Sequence, residues 1–301
     1  MRASRIFTEK ERNFAVGNLK TVPQQFQKVF TITDQFEPIT NHEEGSWLYS
    51  HHEEGQTYKK FQRVVTTVPT EERNTIYLQP IGEFDEEVTP KLDLLSKFTS
   101  AFFSMPVSVS SPIKKDVTQL GIKTREYTNP RGRQLLSTDL LNLMFRQKKK
   151  NSDSFCTLAI TMEDLYPKES WNFVFGQASL VRGVGVYSFA RYDPMFYSSK
   201  RTKNWKKTLL RRSIKVLSHE TGHMFGIHHC VFFNCAMNGS NHLDESDSRC
   251  CFLCPICLRK LYSSIKFDPI KRYKKLRKIY QEMGFDDLVE WIDKRLLHIE
   301  K

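Results

Sequence analysis

His219, Glu220 and His223 stand together in His219-Glu220-Thr221-Gly222-His223, and His229 follows three residues after Gly226. Residues four apart share one face of a helix, so His219 and His223 can reach a single metal ion while Glu220, on the adjoining flank, points at a water bound to it. Gly226 lacks a Cβ and can take a positive φ, end the helix and swing the chain back, bringing His229 to the same ion. Three imidazoles with a fourth position open form a catalytic zinc arrangement, which lowers the pKa of bound water to about 7. Glu220 would take the proton as that water attacks a peptide carbonyl and return it to the leaving amine. His228 is an alternative third ligand, although the spacing from Gly226 favours His229.

The cysteines add a second constellation. Cys230, Cys235, Cys254 and Cys257 follow in the pattern Cys-x4-Cys-x18-Cys-x2-Cys, which is metal-ligand spacing. Four thiolates in closed tetrahedral geometry make a structural site. Cys156 opens an apolar run and reads as a small buried residue. Cys250 and Cys251 lie just before Cys254, where either could displace a ligand, but Cys-x-x-Cys is the usual zinc knuckle.

This block, with Met237 and Cys254-Pro255-Ile256-Cys257, resembles the archaemetzincin family of metzincin-like zinc metallopeptidases. So do Trp171-Asn172-Phe173-Val174-Phe175-Gly176-Gln177-Ala178-Ser179-Leu180 and Ser188-Phe189-Ala190-Arg191-Tyr192. The resemblance covers roughly residues 75 to 270 and is sharpest around the histidines and cysteines. It implies an α/β (α+β) metzincin-like zincin with a twisted mixed sheet, an active-site helix and a compact subregion built on the four cysteines. It also implies two zinc ions: a catalytic ion on His219, His223 and His229, and a structural ion on Cys230, Cys235, Cys254 and Cys257. Met237 resembles the methionine that turns beneath the catalytic ion. The implied substrates are peptides or proteins, with an aminopeptidase-like action on small peptides, bound as an extra strand along part of Gly176 to Ser188. Mammalian members of the family carry a longer segment between the Ser188-Phe189-Ala190-Arg191 stretch and the active-site helix. Here Asp193 to Lys207 is short, which either widens access or leaves the helix less supported. Two competing readings are a non-enzymatic zinc protein that binds nucleic acid or a protein partner through basic faces, and an enzyme fold disabled by the short segment.

These side chains need elements to hold them. Asn74 to Gly82, Met105 to Ser110, Ile122 to Tyr127 and Phe155 to Met162 read as strands, with one or two more between Val174 and Phe189. Thr89-Pro90 reads as a helix start, leading to a stripe of Leu92, Leu95, Phe98 and Phe102. A turn at Asn129-Pro130-Arg131-Gly132 leads to a second helix carrying Leu136, Leu140 and Leu143. The active-site helix starts near Leu209, with Leu210, Ile214, Leu217 and Thr221 on its packing face and Arg211, Arg212 and Lys215 on its charged side. Ile270 to Leu297 reads as two amphipathic helices parted near Gly284. Residues 1–70 show no sustained period, and their two copies of His-Glu-Glu-Gly, at His42 and His52, read as an exposed accessory segment. The expected organisation is therefore an accessory segment over 1–70, a catalytic domain over 71–262 and C-terminal helices over 263–301.

The chain of 301 residues is 39% hydrophobic and carries a formal charge of +12. Eight basic residues lie between Lys200 and Lys215, and nine between Arg259 and Lys278. Such runs are most often solvated helical faces, although an anionic partner could use them. The first residues lack the apolar run of a secretory signal, and no stretch is long and apolar enough to span a bilayer, so a cytoplasmic or nuclear location is expected.

Overall fold

The computed structural model describes residues 3–65, 67–114, 116–128 and 131–301. It comprises two compact units, Pro69–Met224 and the joined segments Met1–Val68 with Phe225–Lys301. This division differs from the expected one: the chain leaves the sheet-bearing unit after Met224, and the N-terminal segment shares a unit with the cysteines and the C-terminal helices.

Within Pro69–Met224 run β1 (Thr75–Ile81), β2 (Val107–Val109), β3 (Thr124–Thr128), β4 (Arg131–Leu136), β5 (Ser154–Thr161), β6 (Asp164–Tyr166), β7 (Gly176–Ser179) and β8 (Val184–Ser188). Five of them form a mixed sheet in the order β2-β1-β5-β8-β7, parallel except for β7, which is antiparallel at one edge. Every residue of β5 and β8 is buried, as expected of parallel strands covered on both faces. The helix Ser137–Lys148 packs against β5 and β8, and the helix Leu92–Phe103 packs against the long helix Trp205–Met224. A smaller sheet has the order β3-β4-β6.

Two local expectations need correction. β4 occupies residues read as a turn running directly into a helix; it pairs with β3 as a hairpin and buries Leu135. The Asn129-Pro130 part of that turn lies outside the described residues. The helix expected from Thr89-Pro90 begins at Leu92, with Lys91 at its N-cap, while Thr89 closes the preceding turn through its N–H to the Asp85 carbonyl.

In the other unit, the helices Pro255–Ile265, Pro269–Glu282 and Asp286–Glu300 gather the N-terminal segment around them. Arg259, 1% exposed, donates to the carbonyl oxygens of Val16 and Asn18 and to Thr21 Oγ1, and lies over the Tyr58 ring. Arg295, fully buried, donates to the carbonyls of Lys28, Val29 and Thr31 and covers Phe36. These two guanidiniums bind carbonyls at the ends of short helical turns in the N-terminal segment, where regular hydrogen bonding runs out. Arg259, Lys260 and Arg272 are all buried, so the basic run beginning at Arg259 is not wholly a solvated face. No helix among the described residues is long and apolar enough to cross a membrane.

A buried ion pair joins β6 to the turn that follows β8. Asp164, on β6, receives Arg191 Nε at 2.9 Å and Nη2 at 2.8 Å, with both side chains at most 5% exposed. Removing one partner of such a pair costs about 3–5 kcal/mol. Asp164→Ala is therefore expected to lower the urea midpoint by that much stability, measured by equilibrium unfolding of the intact chain.

Candidate metal centre

The helix Trp205–Met224 buries Leu209, Ser213, Ile214, Leu217, Thr221 and Met224, and packs on β7 and β8. Leu209, rather than Leu210, starts the packing face. Lys215, expected on the charged side, is 9% exposed, in an unbroken buried run from Ser213 to Ser218.

His219 and His223 occupy a half-buried flank one turn apart. Their Nε2 atoms are 3.1 Å apart and their rings are perpendicular. Two nitrogens each about 2.0–2.1 Å from one tetrahedral zinc would be separated by roughly 3.4 Å, so the pair stands at ligation distance. The helix ends at Met224, and Gly226 takes φ +75°, as its lack of a Cβ permits. His229 follows, and ligand nitrogens of His219, His223 and His229 all lie within 4.8 Å of one another. His228 is exposed and outside this group; its N–H donates to Gln56 Oε1 at 3.2 Å. Glu220, half-buried, lies near β8: burial first and then the Glu220 charge hold the Tyr187 hydroxyl well above its usual range.

The second group is Cys230, Cys235, Cys254 and Cys257, all buried and within the same mutual distance. Cys230 and Cys254 Sγ are 3.6 Å apart, close to the roughly 3.8 Å expected of two sulfurs on one zinc at about 2.3 Å. The Cys254 N–H donates to Cys235 Sγ at 3.3 Å. Asn238 braces the loop, accepting from the Cys235 N–H and donating to the Cys230 carbonyl, each at 2.7 Å. Burial pushes the Cys235 and Cys254 thiols well up; at Cys230 burial acts the same way, but hydrogen bonds from the other three sulfurs outweigh it and hold that thiol well down. Four buried sulfurs around one point, competing for few protons, are the donor set a thiophilic divalent cation fits. Cys250 and Cys251 stand outside the group, and burial pushes Cys156 up to about 12, as suits an inert core thiol. Met237 is fully buried in a turn, its carbonyl accepting from the Cys230 N–H at 2.7 Å.

One neighbour of the histidines escaped the sequence reading. In the second His-Glu-Glu-Gly copy His52 and Glu54 are exposed, as expected, but Glu53 is 21% exposed, with Oε1 at 2.6 Å from His229 Nδ1. Its only sequence signal was the repeat itself, which has no periodicity to interpret. A cavity of about 610 Å³ opens beside His229, walled by Trp47, His51, Glu54, Gln56 and Val64.

Known proteins bear on this arrangement directly. Residues 119–263 match the model of Peptidase family M54. The chain is 37% identical to Archaemetzincin-2 of Macaca fascicularis over 92% of its own length and 79% of that protein, and 30% identical to human Archaemetzincin-1 over 76% of its length and 51% of that protein. The crystal structure of archaemetzincin from Methanopyrus kandleri aligns at 28% identity and a TM-score of 0.46, over 66% of this chain and 99% of that one. The family is one of zinc metallopeptidases, and the histidine and cysteine groups could each hold a metal ion. The chain belongs to the archaemetzincin family, and its sequence is more similar to Archaemetzincin-2 than to Archaemetzincin-1.

Cys254→Ser removes one sulfur from a closed four-thiol set. It is expected to lower the metal content of the purified chain, read by elemental analysis, and to lower the thermal midpoint as well, because structural zinc sites contribute folding free energy outright.

Proposed function

We propose that the chain hydrolyses small peptides in an aminopeptidase-like manner, with one zinc on His219, His223 and His229 and a second, structural zinc on Cys230, Cys235, Cys254 and Cys257. The observation that carries this reading is the convergence of three imidazoles within 4.8 Å, with Glu220 next along the helix from the first of them. Zinc, when bound, polarises the scissile carbonyl and makes water a nucleophile at neutral pH. Glu220 accepts a proton from the attacking water on a carboxylate oxygen and returns it to the departing amide nitrogen. Its neighbour Tyr187 stays a neutral phenol, since burial raises its hydroxyl, and so does not compete for that proton.

Substrate backbone is proposed to pair with β7. That strand is the antiparallel edge of the five-stranded sheet, its residues are half-buried, and the active-site helix packs against it. An extended peptide laid on such an edge gains main-chain hydrogen bonds irrespective of its sequence. The cavity beside His229, with Trp47 and Val64 as apolar walls, has room for a substrate side chain. Seven free cysteines, four of them in one metal-competent group, suit a reducing compartment such as the cytosol or nucleus.

Glu220→Ala is expected to lower kcat/KM on a peptide library by about 10²–10⁴-fold, the usual contribution of a positioned base, while metal content stays at the wild-type level. Equal cleavage by both proteins would remove the mechanism.

A further inference from the structure

We infer that Glu53, from the N-terminal segment, is a positioning residue for the metal centre: it fixes the tautomer and ring orientation of His229 so that Nε2 is presented to the ion. The inference rests on the reading of His229 as the third ligand. An ionised carboxylate only accepts hydrogen bonds, so the 2.6 Å contact between Glu53 Oε1 and His229 Nδ1 places the proton on Nδ1 and leaves the Nε2 lone pair available. A carboxylate behind a ligating imidazole also raises its basicity toward a cation.

Glu53 is itself held by its surroundings. Trp47 Nε1–H donates to the same Oε1 at 2.6 Å, so two N–H groups converge on one oxygen. The indole is fixed in turn. Its backbone N–H donates to the buried Glu245 carboxylate at 3.0 and 3.2 Å, its ring stacks on His51 at 3.8 Å, and its edge meets His229 at 5.1 Å. A Cβ at Gly239 would stand 2.6 Å from the indole, so glycine there leaves the ring its place. On the other side Gln56, three residues after Glu53, donates to the Gly226 carbonyl at 3.0 Å and accepts from the His228 N–H at 3.2 Å. The stretch Glu53 to Gln56 therefore grips both the ring of His229 and the backbone just before it, which gives an otherwise aperiodic segment a role at the metal.

The test is zinc affinity, measured by competition with a chromophoric chelator, together with the visible spectrum of the cobalt-substituted protein, in wild type, Glu53→Ala, Glu53→Gln, Trp47→Phe and His229→Ala. Glu53→Ala should weaken the histidine-held ion by about 10–100-fold and alter the imidazole-ligated cobalt bands, while the ion held by the cysteines stays bound. Glu53→Gln keeps an acceptor oxygen and should recover part of the affinity, and Trp47→Phe should fall between it and wild type. Affinity in Glu53→Ala within about twofold of wild type, with His229→Ala strongly weakened, would overturn the role of Glu53 and leave the ligand set standing. An unchanged His229→Ala would remove the third ligand and this inference with it. Loss of both ions together in Glu53→Ala and Glu53→Gln would make Glu53 a structural residue and overturn the assignment equally.

Discussion

Residues four apart on an α-helix face a common point while residues further along the same helix move away from it, and the organisation around the histidines follows from that geometry. His219 and His223 use the four-residue spacing. A third residue ten positions after His219 on the same helix would lie about 15 Å further along the axis, so the chain must leave the helix first. Gly226, at φ +75°, is where it does so. A side chain delivered by a loop, as His229 is, has no repeating hydrogen-bond ladder behind it, and something else has to fix its position. Cys230 follows His229 directly, so the four-sulfur group anchors one side of that loop. Asn238 and the Cys230–Met237 backbone bond hold the next turn.

The same need for anchoring explains where much of the positive charge goes. A formal charge of +12 suggests a surface suited to polyanions, but Arg259 and Arg295 are spent on backbone carbonyls of the N-terminal segment, with aromatic faces beneath them. A planar guanidinium with five donors can satisfy three carbonyls of such backbone at once, where a neutral amide offers only two donors. Their positive charge serves internal cohesion. The basic residues left exposed, such as Lys203, Lys206, Lys271 and Lys275, are a subset of the runs visible in the sequence.

Those differences show which features a sequence reveals. The central strands, the long helix, the C-terminal helix pair and the clustering of the histidines and of the cysteines were legible because each is a local pattern: an apolar run, a helical stripe, a fixed spacing of histidines or cysteines. β4 was not, because Arg131 to Leu136 has little apolar alternation and is a strand only through its partners β3 and β6. Lys215 was misplaced because periodicity assigns a face and says nothing of what covers it. Residues 1–70 were opaque for a stronger reason. Their decisive bonds, Val16 to Arg259, Val29 to Arg295 and Glu53 to His229, join residues more than 170 positions apart and leave no trace in the local order of residues.

Gln56 shows how such long-range bonds can replace a regular element. The last carbonyls of a helix and the first N–H groups beyond it lose their partners when the helix stops. Gly226 and His228 flank the one residue between them, and the Gln56 amide meets both, giving a proton to the Gly226 oxygen and taking one from the His228 nitrogen. That is the paired donor and acceptor geometry of a neighbouring strand, supplied by one side chain. Ala in its place would leave a carbonyl and an N–H to water in a loop whose next residue is His229. Glu and Lys each retain only half of the donor and acceptor pair, so the chemistry of the amide, and not simply its size, selects glutamine at this position.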